Sequence, residues 1–391
     1  MAWHCQAMRA VILFSGNRHN KKSPKVDMNK TELNVLWLRE RFNWMGQHSG
    51  YDQVCEAILK VQSYDCTSVW QPSKKPLKGT RRILSWLARR SQVSPFYTVS
   101  GTDAEVAALV RCFVHRIQLL HCTYVEDNLG IIPDFKKSLS LKLVGTVHQP
   151  VSWWRLMHPY PQSVSTLDAL IVLGSREVKY FEHFLPSRVY FVPHGVDIEF
   201  FQPAPATPEL NMMNHPPRCI FSGAWLRDID TLAKVVDEVV LRNPAIQFDM
   251  VVPRIKRNDP LFIRIARHQQ VSWHTDLSDE QLLKVNQQAS MLVLPILECT
   301  ANNALLEAIA CGLPVISNNV GGIPDYTRDT FADLLPVGDV DGMVSAILEL
   351  ADSPQQQISK GKAARDFAEE HLNWNDIALK TLEIYSKVMD A

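Results

Sequence analysis

Two glutamates stand where carboxylates can meet a ligand in an otherwise apolar segment. Glu298 directly follows the apolar run 290–297, and Glu307 lies within a second apolar run, 303–311, that has helical spacing and ends at Gly312. The first run is typical of a parallel strand that is buried on both faces. Because open α/β sheets bind ligands at the carboxyl ends of their strands, the turn after this strand is predicted to face a cleft. That turn also contains Thr300, Asn302 and Asn303.

The start of the predicted helix 303–311 is suited to an anion. The first backbone N–H groups of a helix have no acceptor within the helix, and the helix dipole favours negative charge there. Arg227 follows another strand-like run, 219–225, and its guanidinium can bind a phosphate group through two parallel hydrogen bonds. We therefore interpret Arg227 as a phosphate ligand, with an ion pair on a helix surface as the alternative.

Strand-like and helix-like segments alternate along both halves of the chain. This alternation predicts an α/β protein with two doubly wound parallel sheets. The predicted strands are 33–38, 66–70, 118–124, 142–148, 169–174, 189–195, 219–225, 246–253, 270–275, 290–297, 313–318 and 332–337. The predicted helices include 103–116, 175–185, 228–242, 278–288 and 303–311.

Length and composition agree with two domains. A chain of 391 residues is too long for one ordinary core. The proline-rich stretch 205–217 is predicted to be a linker between a first domain, 31–204, and a second domain, 218–372. Residues 1–30 are predicted to be a disordered extension, or alternatively a targeting segment, and Asn373–Asn375 separate the last helix, within 373–391, from the helix before it.

The net charge of zero hides an asymmetry between the halves. Residues 1–204 contain 25 Lys and Arg against 16 Asp and Glu, whereas residues 205–391 contain 16 against 25. A basic first half favours an anionic partner or a membrane surface. Nucleic acid is the weaker alternative, because no recognition motif accompanies the charge. Within 74–90, apolar and basic residues interleave in a helix that could lie on an anionic membrane or cover its own domain.

The cysteines and hydropathy indicate a cytoplasmic protein. The eight cysteines form no C-x-x-C pair, which is typical of reduced thiols. No apolar run reaches the ~18–20 residues of a membrane span, so contact with a membrane would be peripheral. Cys299 lies in the predicted loop and is interpreted as a small loop residue, with a nucleophile as the less favoured alternative.

The segment 294–326, LPILECTANNALLEAIACGLPVISNNVGGIPDY, resembles the donor-site signature of the retaining glycosyltransferases of family 4. The resemblance implies the GT-B fold, in which two Rossmann-like domains face a cleft. It implies that Glu298 contacts the transferred sugar and that Glu307 binds the ribose of a nucleotide. Two features depart from the family pattern: Glu307 follows Glu298 by nine positions instead of eight, and CTANNA replaces the usual glycine and phenylalanine loop.

Other positions match the same family more loosely. Ser49 and Gly50 lie in a glycine-containing loop that, in the family, faces the donor phosphate, and Ser49 could also cap the next helix. His148 ends a predicted strand where family members often have a histidine near the transferred sugar; a purely structural histidine is the alternative. Ala224 replaces an arginine that many relatives use for the diphosphate, which leaves Arg227 as the nearby cation. In the resembled fold the final helix crosses back onto the first domain.

The resemblance implies a hexosyltransferase that moves a sugar from a nucleotide diphosphate donor, with retention at the anomeric carbon. His148 and Glu298 are the implied catalytic residues; Ser49, Gly50, Arg227, Thr300, Asn302, Asn303 and Glu307 are the implied donor-binding residues. No cofactor or metal is expected, because the resembled family works without one. The base, the sugar, the acceptor and the oligomeric state stay open. The alternatives are a nucleotide-sugar 2-epimerase of the same architecture and a binding module without catalysis.

Overall fold

The computed structural model describes residues 33–40, 42, 45–62, 65–71, 81–90, 94–157, 162–205 and 216–391. The predicted extension 1–30, most of the predicted linker 205–217 and the first part of the basic segment 74–90 lie outside these residues. Among the helices that the structure describes, none is both long enough and apolar enough to cross a bilayer.

Six parallel strands form the first sheet, in the order β2-β1-β3-β4-β5-β6. The strands are β1 (Asn34–Glu40), β2 (Asp65–Gln71), β3 (Leu119–Cys122), β4 (Lys142–Val147), β5 (Ala169–Val172) and β6 (Val189–Phe191). The helices of this half are α1 (Gln53–Val61), α2 (Arg81–Arg90), α3 (Val99–His115), α4 (Ile132–Phe135), α5 (Val151–Met157), α6 (Gln162–Ser165) and α7 (Val178–Phe181), with a 3-10 turn at Ser175–Glu177.

Six more parallel strands form the second sheet, in the order β12-β11-β10-β7-β8-β9. The strands are β7 (Arg218–Ser222), β8 (Gln247–Val251), β9 (Val271–His274), β10 (Met291–Leu294), β11 (Val315–Asn318) and β12 (Ala332–Leu335). The helices are α8 (Ile229–Arg242), α9 (Pro260–Ile265), α10 (Asp279–Gln288), α11 (Asn303–Ala310), α12 (Val340–Ala351), α13 (Pro354–His371) and α14 (Trp374–Asp390), with 3-10 turns at Arg254–Lys256 and Ile323–Tyr326.

The predicted fold class is confirmed. Each of the twelve predicted strands overlaps a strand of the structure, and both sheets are parallel, as expected for doubly wound α/β architecture. The helix predicted to stop at Gly312 ends at Ala310, and Gly312 has a φ of +75°, a conformation that glycine adopts without strain. The segment 175–185 is wrong as a continuous helix, because a 3-10 turn there precedes the short α7.

The strand order of each sheet reverses at one point, and that point locates a ligand crevice. In the first sheet, β2 and β3 lie on opposite sides of β1; in the second, β8 and β10 lie on opposite sides of β7. The loops after two such adjacent strands leave the sheet in opposite directions and open a crevice between them. The loops that follow β1, β3, β7 and β10 are therefore expected to border the ligand crevice.

The C-terminal helix α14 packs against the first sheet although it follows the second half of the chain. Apolar side chains of α14 share a buried cluster with residues of β1 and α1. The hydroxyl of Tyr385 accepts a hydrogen bond from Trp37 Nε1 at 3.1 Å and lies 2.7 Å from His121 Nδ1. His121 Nε2 is 2.8 Å from Thr146 Oγ1, whose hydroxyl lies 3.3 Å from that of Tyr51. This chain of buried polar groups connects α14 to β4.

The amphipathic segment ends in helix α2, which packs against α3 through one side. Leu84 and Ala88 are buried on that side, whereas Ile83 and Trp86 are 63% and 51% exposed. The helix thus covers its own domain, which was one of the two predicted roles. Because Ile83 and Trp86 are exposed, contact of α2 with a membrane remains an expectation.

Tyr385→Phe is expected to destabilise the fold by about 1–3 kcal/mol. The change leaves the buried Trp37 Nε1 without its acceptor and His121 Nδ1 without its donor, and unpaired buried polar groups lose their hydration without compensation. Urea denaturation followed by tryptophan fluorescence measures the loss. Tyr190→Phe, on a half-buried tyrosine of β6, is the matched control. Equal stability of the wild type and Tyr385→Phe would show that the network contributes nothing.

Candidate active site

The loop from Glu298 to Asn302 joins the two halves of the molecule. The Ser152 hydroxyl donates a hydrogen bond to Glu298 Oε2. The Thr300 hydroxyl donates to the backbone oxygen of His148 at 2.8 Å. The structure therefore brings together Glu298, from the end of β10, and His148, from the end of β4. Glu298 stays half-exposed, whereas Thr300 is buried in the contact.

The glycine pair in GGIPDY lets the loop that carries Glu298 pack closely on its neighbour. Gly322 N donates to the oxygen of Cys299 at 2.9 Å. A Cβ on Gly321 would lie 2.0 Å from that oxygen, and a Cβ on Gly322 would lie 1.9 Å from the oxygen of Thr300. Any side chain at either position would therefore collide with the backbone of the loop that carries Glu298. The glycine pair thus has a structural role in positioning this loop.

Arg227 lies at the start of helix α11, as its predicted role requires. Its guanidinium donates to three acceptors: Ser222 O at 3.0 Å, Trp225 O at 3.0 Å and Asn302 Oδ1 at 3.2 Å. Burial lowers the pKa of Arg227 to about 10, so the group stays charged at neutral pH. The alternative of a surface ion pair is wrong in the described part of the chain, because all three acceptors are neutral.

Asn302 is the N-cap of α11. Its Oδ1 accepts from the backbone N–H of Leu305 at 3.2 Å in addition to the contact with Arg227. Asn303 is the first residue of the helix, half-exposed, and among the described residues its side chain has no hydrogen-bond partner. The helix terminus, the cation and the amide therefore form one electropositive corner at the bottom of the crevice.

Glu307 faces the glycine loop of the first half. Its Oε1 accepts a hydrogen bond from the Ser49 hydroxyl at 2.6 Å, and the residue is 6% exposed. Burial, opposed by the hydrogen bond from Ser49 and assisted by the nearby Asp279, raises the pKa of Glu307 to about 7. The prediction that Ser49 caps α1 is wrong: the helix begins after Asp52, and the Ser49 hydroxyl points to Glu307 instead. The neighbouring Gly50 has a φ of +106°, which allows the loop to turn there.

Asp279, at the start of α10, fastens the same glycine loop. Its Oδ2 accepts from the backbone N–H of Gln47 at 2.5 Å and of His48 at 3.3 Å. A Cβ on Gly46 would lie 1.4 Å from the Asp279 carboxylate, so a side chain at that position would displace the carboxylate that holds the loop. Asp279 was not predicted, because an acidic residue in the first turn of a helix is common and gives no local sign of contact with a distant loop.

His148 is a neutral imidazole held in one orientation. Its Nε2 lies 2.8 Å from the backbone oxygen of Thr123, so this nitrogen carries the proton and Nδ1 carries a lone pair. The ring stacks on Tyr124 with 3.9 Å between centroids and meets the edge of Tyr51 at 5.1 Å. Burial, followed by the neighbouring His194, lowers the pKa of His148 to about 3.

Glu126 fixes the backbone on which His148 stands. Its Oε1 accepts from the N–H groups of His148 at 2.6 Å and Gln149 at 2.7 Å. Glu126 is 1% exposed, and burial raises the pKa of its carboxyl to about 8. Glu126 was not predicted either, because it follows β3 whereas the residues that it holds, His148 and Gln149, follow β4. An acidic residue a few positions after a strand was the available signal, as it was for Glu298.

The arrangement has the parts needed to bind a molecule with both phosphate and hydroxyl groups. Glu298 and Glu307 offer carboxylate oxygens at the two ends of one loop and helix, with the electropositive corner between them. Cys299 is not poised for nucleophilic attack, because burial raises the pKa of its thiol to about 12. Within the described residues, no group of three or more His, Cys, Asp or Glu side chains is placed to hold a metal ion.

The chain is similar to known proteins by sequence, with a family match in its second half, and by fold over most of its length. The family described as Glycosyl transferases group 1 matches residues 216–353. An MMP alpha-(1->4)-mannosyltransferase of Mycolicibacterium hassiacum is 24% identical over 64% of this chain and 66% of its own length. A D-inositol 3-phosphate glycosyltransferase of Streptomyces scabiei is 27% identical over 76% of this chain and 68% of its own length. Two further such enzymes of Streptomyces are matched over 54% and 55% of their length.

Solved structures with the same fold cover nearly all of the chain. Sucrose-phosphate synthase from Thermosynechococcus elongatus superposes with a TM-score of 0.70 at 17% identity, over 92% of this chain and 99% of that one. Anabaena HepE in complex with UDP and glucose gives a TM-score of 0.67 at 14% identity, over 91% and 100%. The chain therefore has the GT-B fold of these solved structures, and its residues 216–353 match the family described as Glycosyl transferases group 1.

Proposed function

We propose that this chain transfers a hexose-type sugar from a nucleotide diphosphate donor to an acceptor hydroxyl, with retention at the anomeric carbon. The observation that carries the proposal is the placement of Glu298 and Glu307 on either side of the α11 terminus, next to Arg227. Glu307 would bind the ribose, the α11 terminus and Arg227 the diphosphate, and Glu298 the sugar hydroxyls. Support for a nucleotide-sugar donor comes from the HepE structures, which are complexes with UDP and glucose and with UDP-glucose.

The proposed reaction breaks the bond between the anomeric carbon and the diphosphate oxygen. The electron pair of that bond leaves with the diphosphate, where Arg227 and the helix terminus stabilise the new charge. The acceptor oxygen bonds to the anomeric carbon on the same face, and its proton passes to the departing phosphate oxygen. The neutral His148 ring adds no positive charge to the site. The partial negative charge on its Nδ1 would stabilise the positive charge that develops on the anomeric carbon.

The two alternatives differ from transfer in what they do with the donor alone. A nucleotide-sugar 2-epimerase would release an epimerised sugar without any acceptor, and a binding module would leave the donor unchanged. Ala224, in place of a diphosphate-binding arginine, favours the binding module, whereas the engaged Arg227 favours catalysis. Thermal shifts against a panel of nucleotide sugars identify the donor, because a bound ligand stabilises the folded state. NMR of that donor with and without candidate acceptors then separates the three functions.

Glu307→Ala is expected to weaken donor binding while the fold stays intact. The loss of a hydrogen bond to a charged group costs about 1.5–3 kcal/mol, or roughly a factor of ten to a hundred in affinity. Isothermal titration calorimetry with the nucleotide sugar that the thermal shifts identify measures the change in affinity. Glu349→Ala, on an exposed glutamate of α12, is the matched control. Unchanged affinity in Glu307→Ala would remove the ribose role.

The same residue makes donor affinity depend on pH. Because the pKa of Glu307 lies near 7, its carboxylate fraction rises as the pH rises from about 6 to about 8, and the ionised form accepts hydroxyl protons better. Affinity should rise over that range in the wild type and stay flat in Glu307→Gln. A nucleotide sugar is the right probe, since its diphosphate carries no proton that titrates near neutrality.

Turnover is expected to continue at its full rate in excess EDTA. Arg227 and the N–H groups of α11 supply the positive potential that a divalent ion would otherwise provide for the leaving diphosphate. Initial rates with and without chelator, at saturating donor, decide this point. A rate that EDTA abolishes and that added magnesium or manganese restores would overturn metal-independent transfer.

His148→Ala should lower turnover by roughly 100-fold, the scale of losing one electrostatic group in an active site, while nucleotide affinity changes little. The reason is the division of the site: His148 belongs to the first sheet, while Arg227 and Glu307 belong to the second. Kinetics and calorimetry on the same preparation measure both quantities, with His115→Ala, an exposed histidine of α3, as the control. Affinity that falls as steeply as turnover would make His148 a structural histidine.

A further inference from the structure

A cavity of about 550 Å³ opens beside Glu298 and reaches away from the electropositive corner. One wall comes from the first half, from helix α5 and the segment 175–184. The other comes from the second half, from the loop of Glu298 and from Gly321. The cavity is therefore continuous with the reaction site, and Glu298 stands at its edge.

The wall from the first half is strongly basic. Arg155, Arg176, Lys179 and His183 all line the cavity and all are exposed. Arg155 lies over the ring of Tyr180, 5.4 Å from its centroid, and Arg176 Nη2 donates to Asn319 Oδ1 at 3.1 Å. Across the described part of the chain, none of these four side chains is ion-paired with a carboxylate, in contrast to Arg218, Arg264 and Arg365.

The acidic side chains of the cavity do not balance this charge. Glu177 is 5% exposed, and burial together with the nearby carboxylates of Glu126 and Glu298 raises the pKa of its carboxyl well above the ordinary value. Glu298, the other acidic residue that lines the cavity, accepts the Ser152 hydroxyl. Two arginines and a lysine thus outnumber the two acidic residues of the cavity, and of those two Glu177 is buried.

We infer that the acceptor carries a phosphate group, which Arg155, Arg176 and Lys179 bind while its hydroxyl is presented beside Glu298. The inference rests on the proposed function and adds the chemical class of the acceptor. Unpaired cations gathered on one concave wall create a field that selects anions, and arginine side chains bind phosphate through paired hydrogen bonds. The bond changes are those of the proposed reaction; the phosphate of the acceptor takes no part in them.

Binding to the wild-type protein with UDP at saturation tests the inference, because UDP fills the donor side and leaves the cavity for the probe. The probes are glucose 6-phosphate against glucose, and vesicles with phosphatidylinositol against vesicles of phosphatidylcholine alone. At least one phosphorylated probe should bind ten times more tightly than its neutral partner. Tight binding of glucose 6-phosphate indicates a soluble acceptor, and tight binding of phosphatidylinositol vesicles alone indicates a lipid headgroup; both support the inference.

The double variant Arg155→Ala/Lys179→Ala should bind the preferred phosphorylated probe at least tenfold more weakly, with UDP affinity unchanged. Lys60→Ala, on an exposed lysine of α1, should keep both affinities. Equal binding of phosphorylated and neutral probes overturns the inference, and so does an affinity that the double variant leaves intact. Failure of the wild type to bind UDP or any nucleotide sugar is a different result, since it overturns the proposed function itself.

Discussion

The site depends on contact between two sheets that are far apart in the sequence. Its groups are divided, so they function together only if the loop after β10 meets the strand ends of the first sheet. Three of the hydrogen bonds between the halves involve site residues: Thr300 to the oxygen of His148, Ser152 to Glu298, and Ser49 to Glu307. Each joins a hydroxyl to a site residue or to its backbone, so these contacts between the halves also fix the geometry of the site.

The first sheet holds His148 rigidly at this contact. His148 is fixed from three directions, by the backbone oxygen of Thr123, the ring of Tyr124 and the carboxylate of Glu126. Behind it, the polar chain through His121 and Tyr385 ties β4 to α14. Burial lowers the pKa of His121 to about 3, so this network stays neutral and its hydrogen bonds keep one direction. The last helix of the chain therefore supports a residue of the first half.

Much of the fold was predictable because its signals are local. Apolar runs of strand length, separated by helical spacing, gave every strand within a few residues, since a parallel strand buried on both faces leaves few polar positions. Glu298 was visible as a charge directly after such a run, and Glu307 as a charge inside an apolar helix. Arg227 was visible as a cation that follows the strand-like run of β7. In each case a charged residue follows or interrupts an apolar run.

The rest of the site was hidden because it consists of contacts between distant segments. Ser152, Asp279 and Glu126 meet partners 146, 232 and 22 positions away, and nothing in their own neighbourhoods indicates those partners. Ser49 shows the limit of local reasoning, since a serine before a helix is a plausible cap but here its hydroxyl donates to Glu307. The basic cavity is hidden for the same reason: Arg155 and Lys179 are ordinary surface residues until the fold gathers them.

A crystal structure with the bound nucleotide sugar is the decisive experiment for the proposed site. Ribose oxygens are expected within about 2.6–3.2 Å of the Glu307 carboxylate, the diphosphate against the first turn of α11 beside Arg227, and sugar hydroxyls at Glu298. The anomeric carbon is expected between Glu298 and His148, with the basic cavity opening beside it. A nucleotide bound elsewhere, or one in this crevice whose ribose does not reach Glu307 and whose sugar does not reach Glu298, would show that the proposed site is wrong.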